Sequence, residues 1–93
     1  MPYIREEDRK KFDKEINILF EKLTKFKTPE GFSPGELNYI ISSLTWKIFD
    51  KFKSYKMANN LIGALECVKL EIYRRQIGHY EDGKLLENGD INE

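Results

Sequence analysis

Two short segments near the carboxyl end of the chain contain the residue types that could bind a ligand. These segments are Tyr73-Arg74-Arg75 and Tyr80-Glu81-Asp82. An arginine guanidinium presents a planar fork of donors that matches phosphate, and a tyrosine ring can stack on a nucleobase. The same residues also have a structural explanation, because arginines in the last turn of a helix complement the negative end of its dipole.

The sequence lacks the group pairs that nucleophilic catalysis requires. Its one histidine, His79, and its one cysteine, Cys67, are twelve residues apart, and nothing marks a nucleophile beside a base. It has neither a nucleophile elbow nor a glycine-rich phosphate loop. We therefore expect no enzymatic activity and no cofactor, and we interpret Cys67 as a small buried hydrophobic residue.

The carboxylates that follow His79 do not form a recognisable metal-binding pattern. An EF-hand loop with Gly89 at its sixth position would place Lys84 at the first position, where a carboxylate is required. A zinc site would need paired histidines or cysteines. An irregular carboxylate site stays open, but a solvated acidic terminus is the simpler interpretation, and we expect no bound metal.

Length and composition predict one small domain over residues 1–93. A core of this size gives modest stability and can scarcely enclose a ligand, so we expect a homo-oligomer with pockets at its interfaces. Trp46 is interpreted as a core or subunit-interface residue. One cysteine forms no internal disulfide, the start of the chain lacks an apolar signal segment, and no apolar run could span a membrane. We expect a cytoplasmic protein with no membrane partner.

The charges are balanced overall but unevenly distributed. The 16 basic and 16 acidic residues cancel, yet residues 80–93 hold five acidic residues and one lysine. Proteins that bind DNA or RNA through phosphates usually have a strongly basic balance. A role as a nucleic-acid accessory protein is therefore disfavoured, although the basic remainder of the chain permits a local basic pocket.

Hydrophobic periodicity predicts an all-α fold in which three main helices pack antiparallel through short loops. The first helix is expected to begin at Asp13, after an N-terminal arm over residues 1–12, and to end near Lys27. A helical turn already formed within the arm is the alternative. The apolar stripe of this helix comprises Ile16, Leu19, Phe20, Leu23 and Phe26.

The second and third helices have clearer starting signals. Ser33-Pro34-Gly35-Glu36 forms a capping box with proline at the first helical position, and it predicts a helix to about Lys53. Ser54 is interpreted as the cap of a third helix from about Met57 to Ile77. The stripe of the third helix comprises Leu61, Leu65, Val68 and Ile72.

Gly78 is expected to end the third helix as its C′ residue. A short helical turn between residues 80 and 88 would follow, with Leu85 and Leu86 returning to the core. Residues 89–93 are interpreted as a tail.

Four motifs give the chain a resemblance to a known family. They are the opening MPYI, the central GELNYII, the helix IGALECVKLEIYRR and the closing YEDGKLLENGDI. Occurring together in this order, they span nearly the whole chain and resemble a family of small phage and bacterial proteins long regarded as of unknown function. The chain departs from that pattern at Gly78-His79, where Ala-Pro is usual, and in a longer first loop.

That family is similar to small phage proteins that sequester the cyclic nucleotide signals of bacterial immunity. The resemblance implies an anti-defence protein that binds a cyclic dinucleotide or related signal in the host cytoplasm and leaves it uncleaved. The alternative is a helical protein-interaction module with no nucleotide ligand. The motif match, and not spacing, selects the ligand-binding residues: Asn38, Tyr39, Arg74, Arg75, Tyr80, Glu81, Lys84 and Asn88.

Overall fold

The computed structural model describes residues 4–25 and 31–91, and within these ranges it contains helices and no strand. The predicted all-α class is therefore confirmed. The helices are α1 (Glu6–Thr24), α2 (Pro34–Lys51), α3 (Tyr55–Ile72) and α4 (Gly78–Asn88). Five π-helical residues, Tyr73–Ile77, join α3 to α4 and are called the π segment. Helical backbone thus continues without a break from residue 55 to residue 88.

The first helix begins at Glu6, seven residues before the predicted start at Asp13. The alternative of an earlier turn is the correct one. The three acidic residues Glu6, Glu7 and Asp8 occupy the first turn, where the partial positive charge of the helix dipole favours carboxylates. Arg5, just before the helix, donates from Nε to Oδ2 of Asp8 at 3.2 Å. Dipole compensation and this pair stabilise the start without a side-chain cap.

The end of α1 lies at Thr24, whose hydroxyl donates to the carbonyl oxygen of Phe20 at 2.8 Å. The predicted end near Lys27 and the stripe residue Phe26 fall outside the described residues.

Both predicted helix caps are confirmed. Pro34 is the first residue of α2, and Oγ of Ser33 accepts from the backbone N–H of Glu36 at 3.4 Å. Oγ of Ser54 accepts from the N–H of Met57 at 3.0 Å. The second contact is the stronger one, because N–H···O hydrogen bonds are usually 2.7–3.2 Å long.

Gly78 does not end the third helix, so its predicted role as a C′ residue is wrong. Its backbone is right-handed helical (φ −58, ψ −43), and its N–H donates to the carbonyl of Tyr73, five residues earlier. The helix ends instead at Asn88, where Gly89 has φ 85 and donates to the carbonyl of Leu85 at 2.9 Å. A glycine can occupy either conformation, and of these two only Gly89 has the positive φ that is common just after a helix end.

The chain divides into two compact units, residues 1–44 and 45–93, and each is described by itself. The prediction of one domain over residues 1–93 stays a prediction. No helix among the described residues is both long and apolar enough to cross a membrane.

Neither unit buries any described side chain completely. Trp46 is 73% exposed, so its placement in the core is wrong, and its placement at a subunit interface stays a prediction. Leu85 and Leu86 are also exposed and do not return to a core, and Cys67 is exposed where a buried residue was expected. Periodicity identified real apolar faces, but nothing in the described chain covers them fully.

Candidate functional site

The two arginines of the π segment both interact with Glu71, one turn earlier. Nη2 of Arg74 donates to the two carboxylate oxygens of Glu71 at 3.0 and 3.1 Å. Nη1 of Arg75 lies 4.0 Å from Oε2 of the same carboxylate. The guanidinium groups are mostly exposed, and exposed ion pairs contribute only about 0–1 kcal/mol. A phosphate could therefore replace Glu71 as their partner at small cost.

A hydrogen bond connects the π segment to α4. The hydroxyl of Tyr73 donates to Oε1 of Glu81 at 2.5 Å. This bond, together with the negative charge of Glu81 and a smaller effect of desolvation, raises the pKa of Tyr73 above its ordinary value of 10.0. Tyr73 is therefore a neutral donor at physiological pH, and it fixes the position of the Glu81 carboxylate.

The π segment explains how two residues eight positions apart can meet on one helix. In a regular α-helix, residues i and i+7 share a face, whereas residue i+8 lies about 100° further round. A π turn contains one additional residue, so beyond it the i+8 residue takes the place of i+7. Tyr73 and Glu81 are consequently brought onto one face by the wide turn between them.

The side chains that follow Glu81 form a polar face on α4. Glu81, Lys84 and Asn88 follow each other at helical spacing and line an open depression of about 540 Å³. Nζ of Lys84 is 3.2 Å from Oε2 of Glu87 and 5.6 Å from the ring centroid of Tyr80. A cation, an exposed aromatic ring and hydrogen-bonding groups thus lie within a few turns of helix.

The six predicted ligand-binding residues of the second unit do not all line one depression. Glu81, Lys84 and Asn88 share the depression on α4. Arg74 lines a second open depression of about 490 Å³, with Lys69 and Leu70. Tyr73 borders both depressions. Its segment was named as a possible ligand contact, but Tyr73 was not among the residues that the motif match selected. The YRR motif points to it, but its contact with α4 depends on the π turn, which sequence periodicity does not predict.

The other two predicted residues, Asn38 and Tyr39, belong to the first unit. Oδ1 of Asn38 accepts from Oγ of Ser42 at 3.2 Å, along α2 itself. Tyr39 lines an open cleft of about 480 Å³ between α1 and α2, together with Lys22 and Glu36. Within this unit the cleft also offers an aromatic ring beside a cation.

A model of one protein family matches residues 1–91, which is nearly the full length. The chain belongs to the family described as "Domain of unknown function (DUF6899)". The predicted membership of an uncharacterised small-protein family is thereby confirmed. Phage origin and a relationship to nucleotide-sequestering proteins stay predictions. No curated protein and no solved structure matches this DUF6899 chain.

The described surface of this DUF6899 protein suits binding through charge and stacking. No group of three or more histidine, cysteine, aspartate or glutamate side chains in residues 4–25 and 31–91 could hold a metal ion. The polar groups that the site does offer are guanidinium, ammonium, phenol, carboxylate and amide. Such groups can position phosphates and nucleobases, and they are presented on open surfaces with no deep cavity around them.

Proposed function

We propose that this DUF6899 protein binds a cyclic oligonucleotide immune signal and sequesters it without cleaving it. In this proposal the protein is a phage-encoded homo-oligomer that acts in the host cytoplasm. The observation that supports it most is the composition of one uninterrupted helical stretch. That stretch carries two arginines in the π segment, the exposed ring of Tyr80, and the polar face of α4.

Each chemical part of a cyclic oligonucleotide has a suitable partner on this stretch. Arg74 and Arg75 would bind phosphate oxygens in place of Glu71. A base stacked on Tyr80 would gain about 1–3 kcal/mol. Oε1 of Glu81 is held by Tyr73, so Oε2 is positioned to accept from a base amino group.

Binding without cleavage agrees with the groups that are present. Strand scission of a phosphodiester needs an activated nucleophile or a metal ion near the phosphate. In this proposal the arginines of the π segment bind the phosphates in place of the carboxylate of Glu71, which accepts two hydrogen bonds from Arg74. The proposed role of this cluster is therefore retention of the ligand.

A second copy would complete the site. The two depressions of the second unit are about 490 and 540 Å³, within the range of about 300–1,000 Å³ for ligand pockets, but both are open. Sites at subunit interfaces gain their missing wall from the neighbouring chain. Homo-oligomerisation would therefore convert open surfaces into enclosed ones.

Calorimetric titration with a panel of cyclic di- and trinucleotides tests the proposal. Heat should be detected with at least one of them at protein concentrations above about 10 µM, which suffices for micromolar affinity. The bound nucleotide should be recovered intact after heat denaturation. Silence across the whole panel refutes sequestration, and a cleaved product refutes binding without catalysis.

Matched variants identify the residues responsible. Arg74→Ala and Tyr80→Ala should each weaken binding at least tenfold. Arg5→Ala and Tyr55→Ala are the controls. Arg5 pairs with a carboxylate three residues away, as Arg74 does, and Tyr55 is an exposed tyrosine at the start of α3. Equal losses of binding affinity in the Arg74 and Tyr80 variants and in the two control variants would contradict the assignment of the site.

The second candidate is a protein-interaction module without a nucleotide ligand. The exposure of large apolar side chains such as Trp46 favours it, because exposed apolar patches mark protein interfaces. A pull-down from infected cells that recovers one stoichiometric protein, together with silent nucleotide titrations, would support this candidate over the first.

A further inference from the structure

The apolar stripe of α3 extends over two heptads. Its members are separated by three, four, three and four residues, which is the a/d pattern of a heptad repeat. Toward the carboxyl end they become exposed: Leu65 is 36%, Val68 59% and Ile72 49% exposed. We call this stripe the α3 seam; it comprises Ala58, Leu61, Leu65, Val68 and Ile72.

The described residues do not provide a self-sufficient core, because none of their side chains is fully buried. Obligate dimers bury from about 2,000 Å² in total, or about 1,000 Å² on each chain. A second copy could therefore cover the apolar side chains that stay exposed on α3.

We propose that a second copy of this chain packs on the α3 seam and that the protein folds stably only when the two copies associate. This inference rests on the homo-oligomeric part of the proposed function and gives it a surface. The heptad spacing favours this occupant, because the same a/d stripe on two copies interdigitates as knobs into holes. The five seam residues carry no charge, so pairing two seams buries no ionic group.

The lack of a fully buried side chain among the described residues also favours a second copy over an unrelated partner. Every molecule of this protein exposes the same surface as soon as it is synthesised. A chain that cannot cover its apolar faces alone needs a partner present at its own concentration, and another copy meets this condition. Folding is then linked to protein concentration through mass action.

Thermal unfolding over a range of protein concentrations tests the linkage directly. For a dimer of two 93-residue chains, each tenfold dilution should lower the Tm by about 3–4 °C, from about 1.4 kcal/mol per tenfold and the usual unfolding entropy per residue. A Tm that stays constant over a hundredfold dilution would overturn the proposal.

Sedimentation equilibrium with two matched variants tests the seam. Val68 and Leu70 are 59% and 56% exposed on the same helix, but they lie about 200° apart around its axis. The wild type should sediment at twice 11.1 kDa or a higher multiple. Val68→Glu should weaken association at least 100-fold, whereas Leu70→Glu should leave it within about threefold. Equal effects of the two variants, or a folded wild-type monomer, would overturn the seam.

A milder variant covers the case in which Val68→Glu does not fold. Val68→Ala should retain a cooperative transition but require at least tenfold more protein for half-assembly, measured by circular dichroism and sedimentation on the same samples. Assembly at an unchanged concentration would count against the seam.

Failure of this inference can be distinguished from failure of the proposed function. Seam-dependent dimers that give no heat with cyclic nucleotides would sustain the seam and refute sequestration. Folded monomers that bind a cyclic nucleotide would refute the seam and support nucleotide binding.

Discussion

Alanine substitutions at three helical glycines should change stability by different amounts, because two glycines have open surroundings and the third lies in the π turn. A Cβ atom added at Gly63 in α3, or at Gly83 in α4, would meet no described atom within 4 Å apart from its own chain neighbours and the surrounding helical backbone. A Cβ added at Gly78 would lie 3.1 Å from the carbonyl oxygen of Tyr73, the same oxygen that accepts the Gly78 N–H in the π turn. The three glycines therefore share a helical backbone but differ in the room available for an added Cβ atom.

The expected magnitudes follow from helix propensity and from that close approach. Alanine is about 1 kcal/mol more favourable than glycine inside a helix. Gly63→Ala should gain most of this amount, which raises the Tm by about 5 °C for a chain of this size. Gly78→Ala should gain clearly less, because the neighbouring atom belongs to the backbone and cannot turn aside as a flexible side chain would.

Urea unfolding followed by circular dichroism at 222 nm, at one fixed protein concentration, measures these differences. Gly89→Ala is a control of opposite sign, because a φ of 85 and a ψ of 156 suit only glycine and should cost about 1–3 kcal/mol with alanine. Equal gains from Gly63→Ala and Gly78→Ala would refute the strained turn. A loss from Gly63→Ala would show that another chain packs closely against that face.

Three further measurements check other parts of the structure. Folding favours the neutral phenol of Tyr73, so the stabilisation from its raised pKa is complete below about pH 10 and is lost as pH rises through that raised pKa. Ultraviolet titration should accordingly show one tyrosine ionising late, a signal that Tyr73→Phe removes and Glu81→Gln shifts toward 10.0; an unchanged profile in both variants would contradict the hydrogen bond. Ser54→Ala should cost about 1 kcal/mol in urea unfolding, and Ser33→Ala less, because its cap contact is longer; the opposite order would disprove this ranking. Cys67 should react fully with a thiol reagent such as DTNB in the native protein, since it is exposed; reaction only after denaturation would refute that exposure.

The starts of α2 and α3 were predicted correctly from local sequence signals. Ser54 caps α3 and Pro34 opens α2 as expected, because a cap depends on four consecutive residues and little else. The start of α1 was misplaced because Asp13 has the chemistry of a cap, whereas the acidic turn from Glu6 supplies the competing signal that determines the start.

The candidate site was predictable in composition and not in arrangement. The residue types of Arg74 and Tyr80 suit the proposed binding of phosphate and base, and the family resemblance selected these positions. Their partners depend on the phase of the helix, which the π turn changes, so the contact of Tyr73 with Glu81 could not be predicted. The predicted burial of Trp46 and Cys67 was also wrong. Periodicity identifies an apolar face of a helix, but it does not reveal what covers that face.

The additional residue in the π segment has a consequence for chain length. A deletion of Gln76 would place the carboxylate partner, Glu81, seven positions after Tyr73. Residues i and i+7 share a face in a regular α-helix. The shortened chain would keep the polar face of α4 in its present orientation and lose only the wide turn. A deletion of one residue elsewhere in the same helical stretch would instead rotate everything after it by about 100°. The π segment is therefore the position at which this helix can vary in length by one residue and still present the same surface.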